Sequence, residues 1–448
     1  MTIATAPTLT CPEQRRPRPS RLRVLRFLAC CLVAACDRSS SPPSNISDEV
    51  AVVTAIAVDP PAERGAASPN LVATSDGAML TWIEPANAAS SAHRLRFSKL
   101  GTTGWSTPTT ITEGGAIVAN WADVPSVVRQ ADGVLVAHWS EKTSVPAPRG
   151  YDVVLGRSTD GGATWTKVGL ANRDSTDSEH GFVSLVADGE ATLALWLDGR
   201  ATAKEGGATS LRAARVAEIV EPDFVVDDRV CDCCATSAAA TADGPVVVYR
   251  DRTGDELRDP WAVRRVAGVW SAPVPVHVDG WRVTGCPVNG PAVDAAGKEI
   301  VAAWYTAAAP GSRVQVAFST DDGATFEPPI EIDAPRPTSS PMGRVDVVME
   351  GGGEAVVSWL VSGRAGVHLL ARRVARDRRR GSPVQLASLP AAPDVGFPRM
   401  VKVGHDLVFC WTDPRAQTVR VSRLPASALP VAVTSAAGSA SAARPPPT

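Results

Sequence analysis

The sequence predicts an all-β protein, a seven-bladed β-propeller built of four-stranded antiparallel blades. Three observations predict it: a repeat of about 55 residues, an aromatic residue at one fixed place in each repeat, and hairpin turns before that residue. The aromatic residue closes a short apolar strand at successive intervals of 57, 57, 53, 55, 55 and 52 residues: Trp82, Trp139, Trp196, Tyr249, Trp304, Trp359 and Trp411. Repeated β units of this length are typical of a propeller, because closing the ring protects the strand edges.

The turns and strands of each unit support the same architecture. Asp-Gly pairs precede the aromatic strand in the first four units, and Gly-containing turns replace them at 296–297 and 350–353. Asp-Gly between apolar runs predicts a hairpin, because Gly takes up the positive φ that other residues resist. The Val-rich strands alternate and lack the 3.6-residue period of a helix. The last unit, 397–425, offers three strands, so we expect residues 50–56 to supply the fourth, with residues 429–433 as the alternative.

The two ends of the chain differ in composition from the repeats and delimit the propeller to residues 48–433. Residues 1–35 hold six Arg followed by a short apolar stretch, and small residues precede Cys36. This pattern predicts a bacterial lipoprotein signal peptide with Cys36 as the lipidated N-terminus, and a plain secretory signal is the alternative. Polar residues 36–47 predict a flexible tether, and residues 434–448, rich in Ala, Ser and Pro, predict a disordered tail. We expect a lipid-anchored protein of the bacterial cell envelope, on its periplasmic side or at the cell surface.

The distribution of charge excludes one class of partner. The whole chain has a net charge of -2, but residues 1–35 hold six Arg and one Glu, which leaves 39 basic and 46 acidic residues and a net charge of -7 beyond them. Because nucleic-acid binding depends on neutralising phosphates with Lys and Arg, we expect no nucleic-acid partner. At 448 residues the chain is also too long for one ordinary hydrophobic core, which agrees with an array of small units.

Two units contain an eight-residue turn motif of the form S-x-D-x-G-x-T-W/F, between their third and fourth strands. Its fixed residues are Ser158, Asp160, Gly162 and Trp165 in the first copy and Ser319, Asp321, Gly323 and Phe326 in the second. The Asp carboxylate can accept hydrogen bonds from turn amides, Gly supplies the tight backbone, and the aromatic ring packs beneath the hairpin. We therefore expect a structural role for both copies.

This motif resembles the Asp box, or BNR repeat, of sialidase-like β-propellers, in which the box is structural. The resemblance implies the fold but does not supply a catalytic set, so the catalytic residues stay unassigned. Sialidases clamp the substrate carboxylate with three Arg and use a Tyr nucleophile with a Glu and an Asp. Here the first inner strand, 68–73, contains no Arg, and Tyr249 and Tyr305 lie at or beside the repeated aromatic position. The resemblance to sialidases implies a ring of six blades, which is the alternative to the seven blades predicted from the repeat. We expect a binding protein rather than an enzyme, with a sialidase-like glycoside hydrolase as the alternative.

Four of the nine cysteines fall in two loops between units. Cys231, Cys233 and Cys234 precede the inner strand of the fourth unit and Cys286 that of the fifth, so the architecture predicts that they meet on one face. In an exported protein they can form disulfides, with Cys231 or Cys233 joined to Cys286. They can instead hold Zn(II) or Cu(I) as thiolate ligands, or provide a redox-active or nucleophilic thiol. No other cofactor is predicted. The two loops resemble those of a subset of bacterial Asp-box propellers.

Other residues in the equivalent loops form a candidate ligand-binding rim on the same face: Trp121, Asp123, His180, Arg250, Asp251, Trp281 and Arg399. Aromatic rings together with Arg and carboxylates suit a sugar or peptide ligand. The alternative is a solvated rim with buried loop aromatics. The sequence therefore predicts an exported, membrane-anchored propeller that binds a ligand, or a protein or glycan partner, on its cysteine-bearing face. A hydrolase and a protein with a thiolate metal or redox site are the two alternatives.

Overall fold

The computed structural model describes residues 50–87, 91–145, 149–364, 366–391 and 395–431, and these form seven antiparallel sheets, the blades of a β-propeller. The prediction of seven blades is confirmed, and the six-bladed alternative is wrong. The predicted signal peptide, Cys36, the tether and the C-terminal tail lie outside the described residues. Among the described residues, no helix has the length and apolar character needed to cross a membrane.

The first strand of each blade lies nearest the axis, and the later strands follow outward in chain order. Two short strands, β1 (Ala51–Val52) and β2 (Ile56–Ala57), precede the ring. Blades 1 to 3 contain, in order, β3 (Ala67–Thr74), β4 (Gly77–Pro85), β5 (His93–Gly101), β6 (Gly104–Trp105) and β7 (Thr109–Gly114); β8 (Val127–Arg129), β9 (Leu135–Lys142), β10 (Tyr151–Ser158) and β11 (Thr166–Leu170); and β12 (His180–Asp188), β13 (Ala191–Asp198), β14 (Ser210–Val216) and β15 (Phe224–Asp227).

The remaining blades have the same order. Blades 4 and 5 contain β16 (Ser237–Ala240), β17 (Pro245–Arg250), β18 (Pro260–Val266), β19 (Val269–Trp270) and β20 (Val274–Pro275); and β21 (Ala292–Ala296), β22 (Glu299–Thr306), β23 (Arg313–Ser319) and β24 (Ile330–Asp333). Blades 6 and 7 contain β25 (Ser339–Gly351), β26 (Glu354–Gly363), β27 (Gly366–Ala375) and β28 (Val384–Leu389); and β29 (Arg399–Val403), β30 (Asp406–Asp413) and β31 (Thr418–Pro425), followed by the 3-10 turn Ala426–Ala428.

The N-terminal segment closes the ring. Strand β2 pairs antiparallel with β31, with Ile56 opposite Arg423, and is the fourth strand of blade 7. The expectation that the N-terminus supplies this strand is confirmed. The predicted segment 50–56 is divided, however, because β1 pairs in parallel with β28 as a fifth strand of blade 6, with Ala51 opposite Val384. The start of the described chain is thus hydrogen-bonded to the last two blades.

The seven repeated aromatic residues all lie on the second strand of their blades. Six are buried and Trp411 is half-buried. Each buried ring donates its N–H or O–H to a carboxylate at 2.6–2.8 Å: Trp82 to Glu84, Trp139 to Glu141, Trp196 to Asp198, Tyr249 to Asp227, Trp304 to Asp279 and Trp359 to Asp333. A buried donor without an acceptor is costly, so the core aromatics hold acidic residues at one end of the blades.

Both Asp boxes form the turn between third and fourth strands, in blades 2 and 5. In the first copy the Asp160 carboxylate accepts hydrogen bonds from the Ser158 hydroxyl at 2.8 Å and from the Thr164 amide at 2.9 Å. Asp321 makes the same two contacts, at 2.7 and 3.0 Å. Hydrogen bonds from Thr164, and then from Ser158, hold the pKa of Asp160 below its usual value. Each carboxylate is thus occupied within its own turn.

Antiparallel pairing sends successive connections to alternate ends of a blade. The turns between first and second strands, and both Asp boxes, lie at one end. The loops between second and third strands lie at the other end, together with the loops that lead into the next blade. Residues 228–236 and 276–291, which carry Cys231, Cys233, Cys234 and Cys286, are two of the latter loops. We call this second end the cysteine-bearing face.

Candidate functional site on the cysteine-bearing face

One disulfide joins the two cysteine loops. Cys233 is bonded to Cys286, with 6.0 Å between the two Cα atoms, and so links the loop before blade 4 to the loop before blade 5. The prediction of a disulfide between these loops is confirmed for this pair. Cys231 and Cys234 are free thiols, both buried, and Cys410 is a free buried thiol in β30. The Cys233 sulfur is thus bonded to Cys286 and also lies within 4.8 Å of the sulfurs of the two free thiols, Cys231 and Cys234.

The three sulfur atoms of Cys231, Cys233 and Cys234 lie within 4.8 Å of one another, which is close enough for a shared metal ion. The sulfur of Cys233 is bonded to Cys286, however, and a disulfide sulfur is not a thiolate ligand. A three-thiolate Zn(II) or Cu(I) site would therefore require reduction of the bridge first. The metal alternative stays a prediction.

The environment of Cys231 favours its thiolate. A hydrogen bond from Cys234, together with the charge and the hydrogen bond of Arg258, lowers the pKa of Cys231 to about 6 against the opposing effect of burial. Arg258 Nη1 lies 3.2 Å from Cys231 Sγ, and the guanidinium is buried. Burial raises the pKa of Cys234 well above its ordinary value. The two thiols therefore differ, because the pKa of Cys231 is lowered and that of Cys234 is raised.

Arg250 and Trp281 hold the cysteine loops together. The Arg250 guanidinium is 1 % exposed and donates hydrogen bonds to the carbonyl oxygens of Asn289 at 2.7 Å, of Arg258 at 2.8 Å, and of Tyr305. It also lies over the ring of Trp281, 4.6 Å from the ring centroid, and Trp281 is buried. The carbonyl acceptors of Arg250 thus lie in two loops and at the end of β22. Whether Arg250 or Trp281 contacts a ligand stays a prediction.

His180 is also buried, at the start of β12. Its Nδ1 lies 3.1 Å from the carbonyl oxygen of Tyr151, and its Nε2 lies 3.3 Å from Asp174 Oδ1 and 3.8 Å from Asp198 Oδ1. This imidazole and its two carboxylates are close enough together to hold a metal ion. Arg200, however, forms an ion pair with Asp198 at 2.7 Å and lies 3.7 Å from Asp174, so the site already contains a cation. The geometry favours a structural network here.

Asp123, in the loop that leads into blade 2, is buried next to Gly181. Its carboxylate accepts hydrogen bonds from the Phe182 amide at 2.8 Å and the Ser140 hydroxyl at 3.2 Å. Burial raises the pKa of Asp123 to about 6, and the charge of Glu179 contributes to the rise. Gly181 passes so close that a Cβ atom at this position would lie 2.1 Å from Asp123 Oδ2. Phe182 follows in the left-handed region, with φ 54°, a strained conformation for a non-glycine residue.

A cleft of about 210 Å³ lies at blades 2 and 3 and reaches Asp232 in the first cysteine loop. Asp123 is not among its lining residues but is buried next to one of them, Gly181. The lining of the cleft consists of Tyr151, Glu179, Gly181, Phe182, Leu197, Gly199, Thr202, Thr209 and Asp232. Glu179 is exposed, and Asp232, which stands between Cys231 and Cys233, is paired with Arg258 at 3.0 Å. Burial, followed by the charges of Asp123 and Glu179, raises the pKa of Tyr151, so its phenol keeps the proton.

The remaining predicted rim residues lie apart from this cleft. Trp121 stacks on Phe397 at 6.1 Å between centroids, and the Arg344 guanidinium covers it at 4.6 Å. Arg399 begins β29 and lines the central channel of about 490 Å³, 3.9 Å from Asp346 Oδ1. Asp251 is half-buried, and burial raises its pKa to about 6. Trp121 nevertheless packs in the same apolar cluster as the three loop cysteines.

Sequence reasoning did not select three residues that shape this face. Tyr151 and Glu179 line the cleft, and Arg258 contacts Cys231. Tyr151 and Glu179 pair as an isolated parallel bridge between the start of β10 and the loop before β12, a contact that no local pattern predicts. The spacing of Cys231 and Cys234, a C-x-x-C pair, was the one available signal for a perturbed thiol.

The structure is a seven-bladed β-propeller with a disulfide between two loops of its cysteine-bearing face. No family model matches the chain, and no curated protein is similar to it in sequence. Some solved structures are similar to the chain at low identity and with TM-scores below 0.5. The GH93 α-L-arabinofuranosidase of Fusarium graminearum is 16% identical with a TM-score of 0.45, over 84% of this chain and 98% of that one. The α-L-arabinanase of Penicillium chrysogenum is 13% identical with a TM-score of 0.46, over 84% and 99%. The NanB sialidase of Streptococcus pneumoniae is 9% identical with a TM-score of 0.40, over 79% and 84%. These likenesses concern the fold alone.

Proposed function

We propose that this chain is an exported, sialidase-like β-propeller lipoprotein that binds a ligand on its cysteine-bearing face, in the cleft between blades 2 and 3. The observation that carries the proposal is the cleft itself. Its Tyr151 hydroxyl and Glu179 carboxylate have no hydrogen-bond partner among the residues that the structure describes, and both line the opening. Such a pair offers one donor and one strong acceptor to a ligand.

The chemistry of the lining favours a neutral sugar or glycan. Hydroxyl groups of a sugar can donate to the Glu179 carboxylate and accept from the Tyr151 phenol, while Phe182 supplies an apolar surface. Among the described residues that line the cleft, none is Arg or Lys, and Arg258 is already paired with Asp232, so an anionic sugar would meet the Glu179 carboxylate. This argues against a sialoside as the ligand.

The proposed location at the cell envelope rests on the sequence. Cys36 follows small residues at the end of a basic and apolar leader, so the mature chain would be held on the envelope by lipid, with residues 36–47 as a tether. The net charge of -7 beyond the leader argues against a nucleic-acid partner. A glycan of the envelope or its surroundings would then be within reach of the cleft.

Ligand binding is tested with a glycan array followed by calorimetry on the purified protein. We expect neutral oligosaccharides to bind in preference to sialosides, and Glu179→Gln and Tyr151→Phe each to weaken binding by about tenfold or more, through loss of a hydrogen bond. Glu190→Gln, an exposed carboxylate at the opposite end of blade 3, is the matched control. Equal affinity in all three variants, or no bound glycan, would refute the proposal.

A glycoside hydrolase is the second candidate, and Asp123 is the observation that favours it. With a pKa raised to about 6 by burial, Asp123 is protonated in mildly acidic solution, and the exposed Glu179 carboxylate contributes to that rise. Glycoside hydrolysis uses two carboxyl groups, one of which has a raised pKa and acts as the acid. Tyr151 keeps its proton, so it would bind substrate rather than attack it.

Turnover separates the two candidates. A hydrolase would release reducing sugar from the oligosaccharides that bind, with a pH profile that falls above about pH 6 as Asp123 ionises. Asp123→Asn would abolish release and leave binding in place, and Glu190→Gln would retain both. Binding without release in the unmodified protein would exclude the hydrolase and leave the binding function.

A further inference from the structure

The cysteine cluster is not used by the proposed ligand site and has a chemistry of its own. Cys231 Sγ lies 4.0 Å from Cys233 Sγ, which is one half of the Cys233–Cys286 disulfide. Cys234 is the second free thiol, and its sulfur lies within 4.8 Å of the other two. Cys286 is exposed, whereas the other three sulfur-bearing residues are buried. A free dithiol thus adjoins a disulfide that reaches the surface.

We propose that these four cysteines form a thiol–disulfide relay, in which the buried Cys231/Cys234 dithiol reduces the Cys233–Cys286 bridge and delivers a reactive Cys286 thiol to the cysteine-bearing face. The substrate class is a disulfide or other thiol-reactive group that approaches this face. The relay is independent of the glycan cleft, and either proposal can fail without the other.

The relay consists of two exchanges in which atoms and electrons balance. The Cys231 thiolate attacks Cys233 Sγ, a Cys231–Cys233 bond forms, the Cys233–Cys286 bond breaks, and the electron pair leaves on Cys286 as a thiolate. Cys234 then loses its proton and attacks Cys231 Sγ, so that a Cys231–Cys234 bond forms and Cys233 leaves as a thiolate. The proton of Cys234 ends on Cys233 or Cys286. Two thiols and one disulfide are present before and after, so the internal relay needs no external oxidant or reductant.

The surroundings of Cys231 suit the attacking role. Thiol–disulfide exchange needs a thiolate, and the buried Arg258 guanidinium donates a hydrogen bond to Cys231 Sγ, a contact that favours a negative charge on the sulfur. Arg258 Nη1, at 3.2 Å from the sulfur, is 2 % exposed, so solvent does not screen the contact strongly. At Cys410 burial is the largest influence and raises the pKa, against a smaller opposing effect of Arg399.

Chain geometry allows each intermediate pairing. A disulfide needs Cα atoms within roughly 7 Å, and two residues separated by one other cannot be farther apart than about that distance. Cys231 and Cys234 have the C-x-x-C spacing found in redox-active pairs, where exchange cycles between the two sulfurs. The leaving sulfur, Cys286, belongs to an exposed residue, where water stabilises a thiolate.

Native-state alkylation followed by tryptic mapping tests the relay. Trypsin separates the peptide 230–250, which holds three of the cysteines, from the peptide 283–298, which holds Cys286, and the bridge joins them. The full-length protein is treated with N-ethylmaleimide without reductant, quenched in acid and digested. We expect release of 283–298 with one maleimide on Cys286, and a peptide 230–250 that holds one maleimide on Cys233 and an internal Cys231–Cys234 disulfide.

Variants decide which thiol drives the release. Cys231→Ser is expected to slow the release of 283–298 by about tenfold or more, because the attacking thiolate is gone. Cys410→Ser, which removes a distant free thiol, is the control and is expected to label at the rate of the unmodified protein. Two results overturn the proposal: the peptides stay cross-linked while Cys231 itself collects maleimide, or Cys231→Ser releases Cys286 as fast as the unmodified protein. If Cys231→Ser does not fold, the first result alone decides, since it needs only the unmodified protein.

Discussion

Arg258 donates a hydrogen bond to Cys231 Sγ at 3.2 Å from a position that is 2 % exposed. The guanidinium is held there by Asp232 at 3.0 Å and by Glu256 at 2.9 Å, so its direction is fixed by two carboxylates. Arg258 lies next to β18, the third strand of blade 4, whereas Cys231 belongs to the loop before that blade. The propeller thus places one cation against one thiol and makes that sulfur unlike its neighbours.

Replacing this cation should return Cys231 toward ordinary thiol behaviour. In Arg258→Met we expect the pKa of Cys231 to rise from about 6, although the hydrogen bond from Cys234 remains, so that a smaller fraction of Cys231 is thiolate at neutral pH. The measurement is a titration of thiolate ultraviolet absorbance against pH. Arg282→Met, which removes an exposed Arg paired with Asp255 in the neighbouring loop, is the control. An unchanged titration in Arg258→Met would show that Arg258 does not tune this thiol.

The bridge between the cysteine loops should stabilise the ring. Cys233 and Cys286 are 53 residues apart, and closing a loop of that size restricts the unfolded chain by about 2–4 kcal/mol. The double variant Cys233→Ser, Cys286→Ser is expected to lose that much free energy of unfolding in urea. Reductant should bring the unmodified protein down to the same value and leave the variant unchanged. Equal stability of the oxidised and reduced protein would contradict this.

Lipidation is tested at Cys36. The unmodified precursor, expressed in a bacterial host, is expected to partition into the detergent phase of a Triton X-114 separation, because the acylated Cys carries the apolar chains. Cys36→Ala removes the acceptor thiol and should move the protein to the aqueous phase. Cys31→Ala, a cysteine inside the leader, is the matched control and should not. Detergent partition by Cys36→Ala would rule out this anchor.

The repeat predicted the propeller ring, because a single period of about 55 residues locates the second strand of all seven blades. Trp82 and Trp359 lie 277 residues apart in the sequence yet occupy equivalent second-strand positions, and the same spacing brought Cys233 beside Cys286. The repeat could not predict which loop side chains are buried. Arg250 was selected as a rim residue, but its three carbonyl acceptors come from two other loops and the end of a strand, and only the folded ring brings them together. Tyr151 and Glu179 were not predicted as site residues for the same reason.

Gly181 should be required for the cleft. A Cβ atom at this position would lie 2.1 Å from Asp123 Oδ2 and 2.8 Å from Tyr151 Cε2, so Gly181→Ala must displace one of them. We expect a loss of about 1–3 kcal/mol in the free energy of unfolding, together with weaker ligand binding. Gly254→Ala is the control, because nothing lies within 4 Å of its added methyl group. A fully stable Gly181→Ala with unchanged binding would mean that the cleft is not formed as described.

The carboxyl of Asp123 should make stability depend on pH. Burial raises its pKa from 3.8 to about 6, so the folded protein holds this proton more tightly than the unfolded chain does. The stabilising effect is complete below about pH 4 and is lost as the pH rises through 6, with a difference of about 3 kcal/mol for a shift of two pKa units.

Asp123→Asn removes this proton and keeps an acceptor for the Phe182 amide. Between about pH 4 and pH 7 the unmodified protein is therefore expected to lose about 3 kcal/mol relative to the variant, measured as the difference in free energy of urea unfolding. Asp251 and Asp294, whose pKa values are also raised to about 6, are present in both proteins and cancel in that difference. A difference that stays constant over this range, or that changes in the opposite direction, would mean that Asp123 is ionised throughout and cannot serve as the proton donor of a hydrolase.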